Sequence, residues 1–312
     1  MSLRLVLALA VASIALGVAP PMRAGAQQVS DTAFRPRVSR PLHAPNAGPV
    51  LVIDEAHHNF HTAAERYLTF ARLAAADGYR VRSGTVPFTT LLRDSVRILV
   101  IANALAAENA PGNWRRPIGP AFTAAEVQAV KNWVTRGGSL LLIADHMPFA
   151  GAAHDLAAAF GVEYADGFAL DSRDRQGPTM FRRSDGSLGS HAITNGRTPE
   201  ERIDSIASFT GSAFRPTVPV DTLMVLPATT QILSPQVAWQ FDSATTVTTP
   251  APHALQGAVL KVGKGRVAFF GEAAMFSAQV AGPQRRPMGM NHPIASQNAQ
   301  FALNVLHWLS GN

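Results

Sequence analysis

The sequence contains no cysteine, which excludes disulfide bonds, thiolate metal ligands and a cysteine nucleophile. Two common motifs are also missing. There is no GxSxG nucleophile elbow, which argues against a serine α/β-hydrolase. No GxGxxG follows the first predicted strand, so a dinucleotide has no obvious phosphate-binding loop. Charged residues make up only 15% of the chain. They are interspersed and form no basic, aromatic-rich stripe, so we expect no nucleic-acid partner.

The first 26 residues have the pattern of a secretory signal peptide. Arg4 precedes an apolar run of about 14 residues, and Ala24 and Ala26 occupy the small-residue positions before a cleavage site. A membrane anchor is the alternative, but it needs roughly 20 apolar residues. Cleavage after Ala26 removes Arg4 and Arg23 and lowers the formal charge from +6 to +4. No later run is long enough to span a bilayer. We therefore expect an exported protein, periplasmic or extracellular, without a stable membrane span.

Strand and helix patterns alternate from residue 48 onward. Residues 27–47 are rich in proline and polar residues, and we interpret them as an irregular lead-in. The runs PVLVI, RILVIAN and SLLLIA are continuously apolar, as in strands buried on both faces. Two TAAE capping boxes, Thr62–Glu65 and Thr123–Glu126, predict helix starts, and a last helix is predicted from about Ile294 to Leu309. This alternation predicts an α/β fold with a doubly wound, mostly parallel, flavodoxin-like sheet.

The pattern is interrupted between residues 162 and 250. This segment has more Ser, Thr, Asp, Arg and Pro and shows weaker periodicity. We interpret it as a β-rich insertion within a single domain that covers residues 48–312. The sequence ALQGAVLKV-GKG-RVAFF then predicts a β-hairpin that returns to the sheet.

Polar side chains follow three of the predicted strands. Ligands of open α/β sheets bind beyond the carboxyl ends of the strands, so we expect these clusters to converge at one edge. Each cluster also has a purely structural alternative. Asp54 could accept hydrogen bonds from backbone amides in a turn, the histidines after it could be ordinary polar loop residues, and Asp145 could cap a helix. The clusters are Asp54, His57, His58, Asn59 and His61, then Asp145 and His146, then Glu272.

Three further residues are candidates for contact with a ligand. His191 lies in the predicted insertion, from which it could reach over the strand ends as part of a lid. Asn291 and His292 precede Pro293 and open the last predicted helix, where capping is the alternative role.

Four segments carry a resemblance to a known family: VLVIDEAHHNFHTAAERYLTFARLAAADGYRV, GGSLLLIADHMPFAGAAHDLAAAFGVEY, HAITNGRTPEERIDSIASFTGSAF and NAQFALNVLHWL. Over most of residues 48–311 the chain resembles an uncharacterised bacterial family of the class I glutamine amidotransferase-like superfamily. That family is related to the GldG-type domain of gliding-motility and ABC-transport auxiliary proteins. The resemblance implies a flavodoxin-like fold. Class I amidotransferases place a cysteine at the turn after a central strand, with His and Glu partners. Here Asp145 and His146 occupy that turn, which excludes glutamine hydrolysis by that mechanism.

Two functional hypotheses follow. The first is an exported ligand- or metal-binding protein without demonstrated catalysis, whose ligand is a small molecule, a glycan or another envelope component. Asn59, His191, Asn291 and His292 would contact that ligand. The second is a metal-assisted hydrolase of an envelope or extracellular substrate. Its divalent ion, most plausibly Zn²⁺, would be bound by oxygen and nitrogen ligands. Glu272 and His146 are its catalytic candidates, with Glu272 as the base that activates bound water. The candidate ligands are Asp54, His57, His58, His61 and Asp145.

Overall fold

The computed structural model describes residues 28–92, 95–110, 112–175 and 177–311. The predicted signal peptide lies outside these residues. Seven α-helices occur in the described part of the chain: α1 (Leu68–Ala76), α2 (Phe88–Leu91), α3 (Ala124–Arg136), α4 (Phe149–Ala152), α5 (His154–Ala158), α6 (Ala192–Asn195) and α7 (Asn298–Ser310). None of these helices has the length and apolar character needed to cross a membrane.

Seventeen strands accompany the helices within the same residues. They are β1 (Gln28–Ser30), β2 (Val50–Asp54), β3 (Arg80–Gly84), β4 (Val96–Ala102), β5 (Ser139–Ile143), β6 (Val162–Tyr164), β7 (Phe168–Asp171), β8 (Thr179–Arg182), β9 (Ser205–Ser208), β10 (Phe214–Pro216), β11 (Asp221–Val225), β12 (Thr230–Ser234), β13 (Val247–Pro250), β14 (Leu255–Val262), β15 (Gly265–Phe270), β16 (Ala278–Ala281) and β17 (Arg286–Gly289).

The largest sheet has nine strands and a parallel half. Its order is β3-β2-β4-β5-β15-β14-β10-β6, and β11 also pairs with β14. The first five strands run parallel to one another. If these five strands are numbered 1 to 5 in chain order, they lie side by side in the order 2-1-3-4-5, which is that of flavodoxin-like sheets. The structure is therefore a mixed α/β fold, and the predicted parallel sheet is confirmed in that form.

Helices cover both faces of the parallel strands. Alternate residues of β2 and β4 contribute to two separate hydrophobic clusters, because successive side chains of a strand point to opposite faces. Phe70 of α1 and Phe301 of α7 pack in one cluster, and Trp133 of α3 packs in the other. Strands buried on both faces need continuous apolar runs, and β2 and β5 are buried along their whole length.

Only the second predicted capping box begins an α-helix. Thr123 accepts from the Glu126 amide, and Glu126 bonds back to Thr123, at the start of α3. The first box was expected to begin α1, but that helix begins at Leu68, after a stretch of turns. The Glu55 carboxylate accepts from the Ala63 amide at 2.8 Å and so occupies a donor of this stretch. The last helix is also shorter than predicted, because residues 293–295 form a separate 3₁₀ turn.

Residues 162–250 carry β6 to β13, all short strands. Some extend the large sheet, while others form two small sheets, β13-β12-β7 and β8-β9. The predicted hairpin is present as antiparallel β14 and β15, with Gly263 at φ 57° in its turn. In the lead-in, β1 pairs antiparallel with β16.

Candidate functional site at the carboxyl edge of the parallel strands

The strand register places four polar side chains along one edge of the sheet. Ala102 of β4 and Phe270 of β15 both pair with Ile143 of β5, so the three strands end at the same level. Each is followed within two residues by a buried polar side chain: Asn103, Asp145 and Glu272. Asp54 ends the neighbouring strand β2 and is fully buried. The structure therefore brings the three predicted acidic strand ends to one edge, as the topology requires.

His57 lies between two carboxylates at this edge. Its Nδ1 is 2.9 Å from Asp54 Oδ2, and its Nε2 is 2.9 Å from Glu126 Oε1. A carboxylate only accepts hydrogen bonds, so both ring nitrogens must donate and the imidazole is a cation. Burial opposes this charge. The hydrogen bonds and charges of Asp54 and Glu126 outweigh burial, and the pKa of His57 is raised.

Glu126 is a site residue that the sequence analysis assigned only to a helix cap. Its Oε2 accepts from the amide and hydroxyl of Thr123 at 3.1 and 2.8 Å, while its Oε1 binds His57 and the Phe88 amide. Burial favours the neutral acid, but the bonds from His57 and Thr123 dominate and the pKa of Glu126 is lowered. A single side chain thus begins α3 and holds the loop after β2. The contact with His57 could not be predicted from the sequence, because the two residues are 69 positions apart.

Asn59 braces the same loop instead of facing a ligand. Its Nδ2 donates to Asp54 Oδ2 at 3.0 Å, and its Oδ1 accepts from the His57 amide at 3.1 Å. Both ends of the amide are therefore occupied within the loop. His58, between these residues, is exposed and has φ 47°. The histidine-rich stretch is mainly a preorganised turn.

His61 is a buried, neutral histidine. Burial, followed by the positive charge of Arg66, lowers its pKa well below the usual range. Asn103 Oδ1 accepts from the Asp145 amide at 2.9 Å, which fixes the Asn103 amide so that its Nδ2 donates to His61 Nδ1 at 3.2 Å. His61 Nε2 therefore carries the proton. Gln279 Nε2, which donates to Ser277, lies 3.4 Å from this nitrogen, and two donors do not bond to each other. Among the residues that the structure describes, the buried Oε1 of Gln279 has no partner.

Asp145 and Glu272 form a pair of carboxyl groups on adjacent strands. Glu272 accepts from the amides of Ala274 and Met275 at 2.9 and 2.7 Å. Burial, then the negative charge of Asp145, raises the pKa of Glu272 well above its usual range. Two neighbouring buried carboxyl groups resist double ionisation, so this pair retains a proton. Asp145 accepts from the His146 amide at 2.7 Å, and no cation of the described residues lies within ion-pair distance of it.

His146 lies under a cluster of aromatic rings. Its Nδ1 is 2.6 Å from the Met147 carbonyl oxygen and must donate to it, so Nε2 is the acceptor nitrogen of the neutral ring. The ring stacks on Phe168 at 4.5 Å and 11°, and Trp239 meets it edge-on at 4.7 Å. Within the described ranges, Nε2 has no hydrogen-bond partner. The residue is 7% exposed.

His191, one of three further residues predicted to contact a ligand, lies away from this edge. His191 caps α6 and packs against Trp308. Burial lowers the pKa of His191, and the nearby charges of Lys261 and Arg266 lower it further. Arg266 pairs with Ser139, at the opposite end of the parallel strands, so His191 is not part of a lid over the site.

The other two predicted contacts have structural roles. Asn291 donates to Asp31 and to the Gln279 carbonyl, and His292 caps the 3₁₀ turn at residues 293–295. Asn291 thus bonds to one carboxylate and one backbone carbonyl group, and His292 accepts from a backbone amide of the turn.

The predicted metal ligands do not form a metal centre. Both nitrogens of His57 are bonded to carboxylates, and Nδ1 of His61 is bonded to Asn103. His58 is exposed on the turn. Over the described ranges, no group of three or more His, Cys, Asp or Glu residues is arranged to hold a metal ion. The donor set at this edge therefore does not fit the proposed divalent ion.

Two cavities lie elsewhere, in the part of the chain that carries β6 to β13. One, of about 540 Å³, is lined by Asp171, Arg173, Arg182 and His253 among others. The second, of about 360 Å³, is lined by residues that include Tyr164 and Asp166. Neither lining contains a predicted site residue. The buried ionisable groups, and not the concave volume, distinguish the carboxyl edge.

No family model and no curated protein sequence matches the chain. Several solved structures are similar to it. The mmIFT52 N-terminal domain aligns with a TM-score of 0.58 at 12% identity, over 83% of this chain and 97% of that one. A cytoplasmic protein of Salmonella typhimurium LT2 aligns at 0.48 and 13%, over 84% and 99%. A ThuA-like protein of Bacteroides uniformis aligns at 0.44 and 11%, over 88% and 94%.

These likenesses correct the family resemblance drawn from the sequence. The chain was expected to belong to a family related to the GldG-type auxiliary domain. No family model supports that membership, and the structure that aligns best among those named is the mmIFT52 domain and not a GldG-type domain, so the assignment is wrong. At 12% identity the mmIFT52 likeness shows the fold alone.

Proposed function

We propose that this chain is a ligand-binding protein whose ligand lies over the carboxyl ends of β2, β4, β5 and β15. The observation that carries the proposal is the carboxyl pair of Asp145 and Glu272, placed beside His146 with its free acceptor nitrogen. Burying ionisable groups is costly, and a fold keeps them mainly where they do chemistry or contact a ligand. Open α/β sheets bind ligands at this edge.

The rest of the edge supports binding more than metal-assisted hydrolysis. Asp54, His57 and Glu126 satisfy one another, which makes the loop after β2 rigid. A rigid wall lowers the entropy lost on binding. The hydrolase hypothesis needs a metal ion, for which the donors do not converge, so no hydrolytic step is assigned to Glu272.

We further propose a detailed fold type and an exported location for the chain. We interpret the domain, residues 48–312, as flavodoxin-like and class I amidotransferase-like, with residues 162–250 as a β-rich insertion. Export rests on the N-terminal sequence pattern alone. N-terminal sequencing of the protein from its native cells should begin at Gln27, whereas an intact Met1 would contradict export.

A thermal-unfolding screen tests the proposal. The probes are neutral sugars, amino acids, nucleosides, Zn²⁺ and Mn²⁺, and the variants are Asp145→Asn and a matched control, Asp155→Asn. Asp155 is exposed, so its variant should behave as wild type. We expect at least one class of probe to raise the midpoint in wild type and Asp155→Asn but not in Asp145→Asn, because ligand binding stabilises the folded state.

The other outcomes are distinct. No shift with any probe, or a shift that Asp145→Asn retains, would contradict a ligand site at this edge. A shift produced only by Zn²⁺ or Mn²⁺ and lost in Asp145→Asn would replace the proposal with a metal site.

A further inference from the structure

An aromatic corner stands beside His146 at the edge of the proposed site. Trp239 and Phe241 are 39% and 43% exposed, and their rings lie 6.5 Å apart at 84°. Both pack against Phe168, which is itself stacked on His146. Most apolar side chains of this size are buried, so two adjacent exposed rings over a buried polar centre call for a functional explanation.

Backbone hydrogen bonds fix the segment that carries Trp239. The Ala238 amide donates to the Trp114 carbonyl at 2.9 Å, and the Arg116 amide donates to the Gln236 carbonyl at 3.0 Å. Trp239 has φ 69°, a left-handed conformation that is unfavourable for a bulky residue. Such strain persists only where surrounding contacts impose it, and it is concentrated at functional sites.

The polar groups beneath the corner select a ligand that donates hydrogen bonds. His146 Nε2 is an acceptor, and Asp145 is a carboxylate without an ion-pair partner among the described residues. The oxygen atoms of an anionic ligand are themselves acceptors, so they could not bond to these two groups, and an anion is disfavoured. The hydroxyl groups of a neutral ligand would donate these hydrogen bonds without adding charge to the site.

The charge balance disfavours a cationic ligand as well. The Arg66 guanidinium carbon lies over the Phe60 ring, 3.7 Å from its centre, and its ion-pair partner is Glu65, an exposed side chain 4.0 Å away. Arg66 is close enough to His61 for its charge to lower the pKa of that histidine. His61 is linked to the Asp145 amide through Asn103, so the guanidinium lies at the same edge and its positive charge disfavours a cationic ligand.

We propose that the site binds a neutral pyranose, with one apolar ring face on Trp239 and hydroxyl groups donating to His146 Nε2 and Asp145. This inference rests on the proposed function and names its class of ligand. A sugar ring presents a flat C–H face and hydroxyl groups around its rim, which match an aromatic face beside acceptors. An acyclic polyol carries the same hydroxyl groups but has no ring face.

Nuclear magnetic resonance of the tryptophan indole groups tests the proposal. The probes are methyl glucopyranoside, methyl galactopyranoside and methyl mannopyranoside. Sorbitol, glucuronate and tetramethylammonium serve as acyclic, anionic and cationic comparisons. We expect at least one pyranoside to shift the indole N–H resonance of Trp239, while Trp133 in the core and Trp308 at the opposite edge stay unchanged.

Two variants locate the contact. Trp239→Asn removes the ring but tolerates the left-handed backbone, and His146→Phe keeps the aromatic stack but removes the acceptor. Each should weaken pyranoside binding roughly tenfold, which corresponds to about 1.4 kcal/mol. His154→Phe, at an exposed histidine, is the control and should bind as wild type.

Several results would overturn the inference. Sorbitol binding as tightly as the pyranosides would remove the need for a ring face. Stronger binding of glucuronate or tetramethylammonium would show that charge decides. A dimer that dissociates in Trp239→Asn, with no pyranoside bound, would assign the corner to a second copy of the chain. If the thermal screen finds an Asp145-dependent ligand of another class, the proposed function stands and only the pyranose fails.

Discussion

Replacing His57 with alanine should destabilise the fold severely. The change removes the cation that separates two buried carboxylates, Asp54 and Glu126, each 2.9 Å from a ring nitrogen. Leaving buried charges without their partner costs about 3–5 kcal/mol. The neighbouring residue His58 supplies a matched control. It is exposed with φ 47°, and His58→Asn should change the free energy of unfolding by less than about 0.5 kcal/mol.

The penalty should also depend on pH with a defined sign. The folded-state pKa of His57 is raised, so its contribution is fully present below the unfolded pKa of roughly 6.5 and is lost as pH rises through the folded pKa. Urea unfolding of wild type, His57→Ala and His58→Asn at several pH values from 6 to 9 measures this. The difference between wild type and His57→Ala should shrink as pH rises. A penalty below about 1 kcal/mol, or one that grows with pH, would refute the ion-pair account.

Three further predictions follow from the same edge. Glu126→Gln should lower the pKa of His57, because it removes one of the two charges that raise it; an unchanged imidazole titration by NMR would contradict this. Thr123→Ala should cost about 1 kcal/mol through loss of the cap of α3, whereas Thr135→Ala, at an exposed position of the same helix, should cost less; urea unfolding distinguishes them. Infrared spectroscopy near neutral pH should show a protonated carboxyl band that Glu272→Gln abolishes. Because the folded pKa of Glu272 is raised, its contribution to stability should decline as pH rises above roughly 4.5, and the variant should lose that decline.

The sheet was predictable because its signal is local and repeated. PVLVI and SLLLIA are apolar at every position, as strands covered on both faces must be, and each is followed by an acid. Given parallel strands, the ends must meet, so Asp54, Asp145 and Glu272 could be placed at one edge without coordinates. The start of α1 was wrong because Thr62 and Glu65 do not form the reciprocal bonds of a capping box. The Glu65 amide donates to the Thr62 carbonyl oxygen instead of the hydroxyl, and the helix begins at Leu68.

The roles of individual histidines could not be read from their neighbours in the sequence. The ring of His57 bonds to Glu126, 69 residues away, and the ring of His61 contacts Asn103 and Gln279, which are also distant in the sequence. Asn103 had the same signal as the acids, a polar residue directly after a buried strand, and could have been included. Trp239 gave no sequence signal, because only tertiary structure places its ring beside His146.

The most direct test of the central claim is where a bound ligand perturbs the backbone. The probe is whichever compound of the thermal screen gives the largest shift, added to isotope-labelled protein and followed by amide NMR. We expect changes at Asp145, His146 and Glu272, with Asp171 and Arg182 in the 540 Å³ cavity unaffected. Changes confined to that cavity would contradict the assignment of the carboxyl edge as the binding site.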